Sequence, residues 1–113
     1  MPSVSSDVTV VKMGGALMER PAALAAFWEG VQRLRAATAV VVVHGDGAQA
    51  TDLARRLGHE PRIVQGRRVT TDLDLDLALW TMRGAVNARL VAQGQAAGVP
   101  TAGISGADGA LLR

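Results

Sequence analysis

Of the twelve basic residues in this chain, eleven are arginine and one is lysine. The lysine, Lys12, is followed by Met13-Gly14-Gly15 at the close of a β-branched run. A lysine at a strand end beside two glycines can aim its ammonium at a phosphate. The glycines let backbone N–H groups approach the same anion with no Cβ in the way. In phosphoryl transfer such a lysine offsets charge on the migrating group. The plainer reading is a solvated strand-end lysine beside a tight turn.

A second group, His44-Gly45-Asp46-Gly47, opens a helix, where free N–H groups and the helix dipole favour anions. With Ala48-Gln49-Ala50 it also spells the G-x-G-x-x-A dinucleotide pattern, but after the second strand rather than the first. Asp46 is awkward in an anion site because its carboxylate repels the ligand. Arg67 and Arg68 follow Gly66 in an expected hairpin, and arginine suits bidentate carboxylate recognition. The alternative is an exposed basic turn.

Asp72, Asp74 and Asp76 imitate a calcium loop only superficially. The sixth position is Leu77 where glycine is needed, and the twelfth is Arg83 where glutamate is needed. These carboxylates are expected to spread over the surface of an acid-rich helix start, and no residue is read as a metal ligand. His44 and His59 have no marked partners, so no Ser-His-Asp set is expected. Trp80 and Met82 read as core or interface.

The elements that must position these groups follow from periodicity. Val8–Met13 and Ala39–His44 read as buried strands, apolar on both faces as in a helix-covered parallel sheet. Residues 22–37 carry Leu24, Phe27, Trp28, Val31 and Leu34 at helical spacing behind Pro21. A helix is expected from about 48 to 57, stopped by Gly58, then a hairpin over 62–70. Thr71 and Asp72 offer an N-cap to a long helix reaching about Ala97, with Gly84 as a candidate interruption. Thr101–Ser105 reads as a third core strand, Gly106–Gly109 as a turn, and Ala110–Arg113 as the start of another strand. The order implies an α/β fold: a three-layer sandwich with a mainly parallel sheet. Ligands of such sheets sit beyond the carboxyl ends of strands, and three of those ends carry glycine here.

Composition narrows the classes. The chain has 113 residues, 49% apolar and 19% charged, enough for a modest core and too apolar for disorder. No apolar run approaches the roughly 18 residues of a membrane helix, and Met1–Asp7 lacks the basic region of a signal peptide. The formal net charge is +2, which argues against nucleic acid as a partner. The absence of cysteine removes disulfides, thiolate metal sites and a thiol nucleophile, and fits a cytoplasmic location.

Five motifs in order carry a resemblance. They are Val10-Val11-Lys12-Met13-Gly14-Gly15, Val42-Val43-His44-Gly45-Asp46-Gly47, Gly66-Arg67-Arg68-Val69-Thr70, Gly84-Ala85-Val86-Asn87-Ala88-Arg89-Leu90-Val91 and Ser105-Gly106-Ala107-Asp108-Gly109. Together they resemble the N-terminal half of an acetylglutamate kinase, in the amino acid kinase superfamily. The resemblance implies phosphorylation of the γ-carboxylate of N-acetyl-L-glutamate by ATP with Mg2+, a step of arginine biosynthesis. It implies that residues 1–113 form the amino-acid-binding lobe and that a C-terminal lobe holds the nucleotide. Carried over, Lys12 is the catalytic residue bridging phosphoryl oxygens. Gly14 and Gly15 meet the transferred phosphate, Gly45, Asp46 and Gly47 line the substrate, and Arg68 pairs with a substrate carboxylate. The resemblance also implies a homodimer through the long helix around Trp80.

Two departures from the family pattern bear on these expectations. Asp46 stands where the family has glycine, so weakened or altered binding of a dianionic substrate is expected. The sequence ends at Arg113, so the lobe alone is expected to hold no ATP or Mg2+ and to be inactive. The rival readings are a kinase of carrier-protein-linked aminoadipate, a non-catalytic amino-acid-binding or dimerisation module, and an NADP-binding Rossmann unit.

Overall fold

The computed structural model describes residues 7–46 and 48–113. Strand β1 (Val8–Met13) and strand β2 (Ala39–His44) pair in parallel, from Val8 opposite Ala39 to Met13 opposite His44. Between them runs helix α1 (Pro21–Leu34), with Pro21 in its first turn, where a missing N–H costs nothing. Leu24, Trp28 and Val31, at spacings of four and three, form its buried stripe. Phe27 meets the Trp28 ring edge-on, with centroids 5.3 Å apart.

Helix α2 (Gln49–Arg56) follows, held down by the buried Ala50 and Ala54. A short antiparallel hairpin comes next, β3 (Ile63–Val64) with β4 (Arg67–Arg68). The long helix has three parts: α3 (Asp72–Ala78), a π-helical segment over Leu79–Val86, and α4 (Asn87–Ala96). The expected interruption at Gly84 thus takes the form of wider winding across eight residues, not a break. Gly58 and Gly98, both at positive φ, lie just beyond α2 and α4.

The core joins Met13 at the end of β1 to the α1 stripe and to Val86, Leu90 and Val99 of the long helix and its exit. Val40 and Val42 of β2 pack against it, so this face of the strand pair is covered by helices. On the opposite face Val8 and Val10 of β1, and Val41 and Val43 of β2, are exposed. The radius of gyration, 16.2 Å, exceeds the ~13 Å of a closed domain of about this size. No helix among the described residues is long and apolar enough to cross a membrane.

Two expectations at the C-terminal end are corrected. Thr101–Ser105 makes no strand ladder with β2. Its ends are tied elsewhere: the Gln95 side chain donates to the Thr101 carbonyl at 3.2 Å, and the Ser105 amide donates to Asp108 at 2.6 Å. Gly103 meanwhile lies against the long helix, where a Cβ would fall 1.9 Å from Asn87 Oδ1. The Gln95 bond and the Gly103 contact hold the segment toward the helix, and a cavity of about 440 Å³ lies between it and β2. Ala110–Arg113 does not begin a strand either. The Leu112 amide turns back to the Gly106 carbonyl at 2.9 Å, and the Leu112 side chain lies over Gly106.

Candidate functional site

Parallel pairing in this register brings the carboxyl ends of β1 and β2 to one level. Lys12 sits opposite Val43 and Met13 opposite His44, so Gly14 and Gly45 leave the sheet as neighbours. Alternation along β1 buries Met13 and puts Lys12 on the exposed face. Lys12 has no hydrogen-bond or ion-pair partner among the described residues. Gly14 adopts an ordinary extended conformation (φ −71°, ψ 147°) ahead of a 3-10 turn over Gly15–Glu19. A Cβ added at Gly14 or at Gly45 would meet nothing within 4 Å, and neither residue has positive φ. Neither backbone conformation nor internal crowding therefore requires glycine at either strand end. Both backbones stand open to an approaching group. Gly47 lies outside the described residues.

His44 is saturated. Its Nδ1–H donates to the Gly45 carbonyl at 2.9 Å, which leaves Nε2 to accept from the Asn87 amide at 3.0 Å. It is a satisfied strand-end residue that locks the glycine turn to the long helix. Asp46, half-buried, turns toward the π-helical segment, where the Thr81 hydroxyl lies 3.3 Å from its Oδ2. That hydroxyl has a nearer acceptor in the Leu77 carbonyl at 2.8 Å, so the Asp46 carboxylate keeps most of its accepting capacity.

Arg68 is half-buried on β4 and donates from Nη2 to Thr51 Oγ1 at 2.6 Å. Thr51 lies in α2, the next helix after Gly45 and Asp46 in the chain, so the hairpin arginine is brought to the element that follows them. Arg67 is exposed.

Two features escaped the reading of the sequence. Asp74 does not join Asp72 on the helix surface; it is 2% exposed. It accepts from the Thr71 amide at 2.8 Å, the Thr71 hydroxyl at 2.7 Å and His59 Nε2 at 2.9 Å. The Thr71 bonds, helped by His59, hold its carboxyl at about 2, below the ordinary 3.8. His59 thus has a firm partner, contrary to expectation. The spacing Thr71-x-x-Asp74 is that of a capping box, which was the available signal. The second feature is Asp108 in the third glycine turn. The Ser105 amide, and then Arg83, keep its carboxyl below the usual range. Arg83 grips it with two bonds of 3.0 and 3.1 Å.

Comparison with known proteins agrees with the resemblance carried by the five motifs. Residues 7–113 match the model of the amino acid kinase family. An acetylglutamate kinase of Methanopyrus kandleri is 38% identical over 103 residues, which is 91% of this chain and 38% of that protein. One from Symbiobacterium thermophilum is 36% identical over 110 residues, 96% of this chain and 38% of that protein. One from Bacteroides thetaiotaomicron is 38% identical over 110 residues, 94% of this chain and 40% of that protein. The chain spans about two fifths of the length of these relatives. With its parallel strand pair, its glycine turns and this match over nearly all of its length, the chain belongs to the amino acid kinase family.

Proposed function

We propose that this chain is the amino-acid-binding lobe of an acetylglutamate kinase, acting in arginine biosynthesis. The observation that carries the reading is the pair of open glycine backbones, Gly14 and Gly45, side by side at the strand ends next to Lys12, which has no partner among the described residues. In the reaction, a γ-carboxylate oxygen of N-acetyl-L-glutamate attacks the terminal phosphorus of ATP. The bond from that phosphorus to the bridging oxygen breaks, giving an acyl phosphate and ADP. The Lys12 ammonium bridges phosphoryl oxygens as negative charge accumulates on them. The amides at Gly14 and Gly15 receive the migrating group. Gly45, Asp46 and Gly47 line the amino acid, and Arg68 takes one of its carboxylates.

By the resemblance, Mg2+ would offset the charge of the ATP phosphates when bound, and the nucleotide is assigned to a C-terminal lobe of the family fold. Two copies are proposed to pair through the exposed Leu75, Leu79 and Trp80 of the long helix, with a dimer mass in light scattering as the check.

Calorimetric titration of the purified chain with N-acetyl-L-glutamate, with L-glutamate as control, tests the reading. Selective heat from the acylated amino acid is expected, without ATP turnover by the chain alone. A folded sample that gives no heat from either ligand overturns it.

A further inference from the structure

The hairpin that carries Arg68 is too small to orient it. Each strand has two residues, Ile63 and Val64 are exposed, and an isolated two-stranded hairpin of this length is not rigid in water. Among the described residues, one hydrogen bond ties these strands to another element, and it is the 2.6 Å bond from Arg68 Nη2 to Thr51 Oγ1. The acceptor is well mounted. Thr51 is β-branched, with few side-chain rotamers, and the buried Ala50 and Ala54 seat its helix. The bond uses one of the five N–H donors of the guanidinium, and the others have no partner among the described residues. Thr51 thus holds one end of the guanidinium and leaves its remaining donors to a ligand.

We infer that Thr51 is a positioning residue for carboxylate recognition: it holds Arg68 in the orientation in which the free side of its fork meets a substrate carboxylate. The inference rests on the acceptor-binding reading above, and it adds a residue whose type neither glycine pattern nor charge singled out. A flexible arginine must be ordered when ligand arrives, and a pre-set one has already met that cost.

The test measures binding of three ligands by calorimetry: N-acetyl-L-glutamate, and its two monoamides, N-acetyl-L-glutamine and N-acetyl-L-isoglutamine. The wild-type chain is expected to discriminate against the amide that removes the carboxylate facing Arg68. Thr51→Val keeps the shape and deletes the acceptor. It is expected to narrow that discrimination about tenfold, as for a lost hydrogen bond to a charged group, while Thr51→Ser retains it. Uniform weakening of all three ligands in Thr51→Val is the mark of a structural role alone and overturns the inference. So does unchanged discrimination, or a Thr51→Ser variant that behaves like the valine. If N-acetyl-L-glutamate gives no heat with the wild-type chain, the acceptor reading falls first and the positioning role with it. Heat that is insensitive to Thr51 overturns the positioning role alone.

Discussion

Glycines in two regions of this molecule do opposite work. Along the long helix and its exit, Gly94 and Gly103 are spaces into which other groups are packed. A Cβ at Gly94 would lie 2.3 Å from Thr101 Oγ1 and 2.9 Å from the Trp28 ring, and at Gly103 it would lie 1.9 Å from Asn87 Oδ1. At the strand ends, a Cβ on Gly14 or Gly45 would meet nothing within 4 Å. The first pair is explained by the fold. The second is unexplained by anything inside the described chain, which is what a site for an outside group requires. A sequence pattern cannot make this distinction, because all four letters are the same.

Substitution separates the two regions most sharply. Gly94→Ala forces the rigid, buried Trp28 ring or Thr101 to shift, and we expect a loss of about 1–3 kcal/mol of stability in urea denaturation. Gly45→Ala leaves stability within about 0.5 kcal/mol, as for substitutions that disturb no packing. It is nonetheless expected to abolish most of the heat from N-acetyl-L-glutamate. If Gly45→Ala unfolds the chain, or binds as wild type, the strand-end glycines lose their separate status.

A smaller effect comes from another internally committed group, Asp74. Its carboxyl ionises at about 2 in the fold against an ordinary 3.8, so the folded chain favours the charged form more than the unfolded chain does. That contribution is fully present above about pH 4 and is lost as pH falls through about 2. Asp74→Asn is expected to lower the melting temperature by several degrees at neutral pH and to flatten the acid limb of a stability–pH curve between these values. An unchanged acid limb would show that the Thr71 and His59 bonds do not favour the charged carboxylate.

The legible part of the fold was the part built from local periodicity. The strand runs over 8–13 and 39–44, the α1 stripe and the capped start of α3 each lie within a few residues of their expected bounds. The third strand was misread because β-branching in Thr101–Ser105 is local, whereas the close approach of Gly103 to Asn87, which lies 16 positions earlier on the long helix, is tertiary. In the site, Lys12 stood out by residue type and the two glycine turns by spacing. Thr51 did not, because its role depends on an arginine 17 positions away in sequence. Asp74 was lost among three similar carboxylates until its capping geometry set it apart.

The least of the expected effects concerns the third glycine turn, which shares the sequence character of the first two but not their openness. Asp108 occupies it from within, accepting from the Ser105 amide at 2.6 Å and from both ends of the Arg83 guanidinium. Arg83 and Asp108 are 47% and 40% exposed, so water and salt screen their attraction strongly. Arg83→Gln is therefore expected to lower the melting temperature by at most a few degrees at low salt and not at all at high salt. The amide bond is the firmer of the two contacts, since the Ser105 N–H does most to hold the Asp108 carboxyl in its charged form. Hydrogen exchange at Ser105 should accordingly stay slow in Arg83→Gln and become fast in Asp108→Ala. Fast exchange in both would make Arg83 the element that closes the turn. It would also place this turn nearer to Gly14 and Gly45, as a loop whose amides are free to be offered outward.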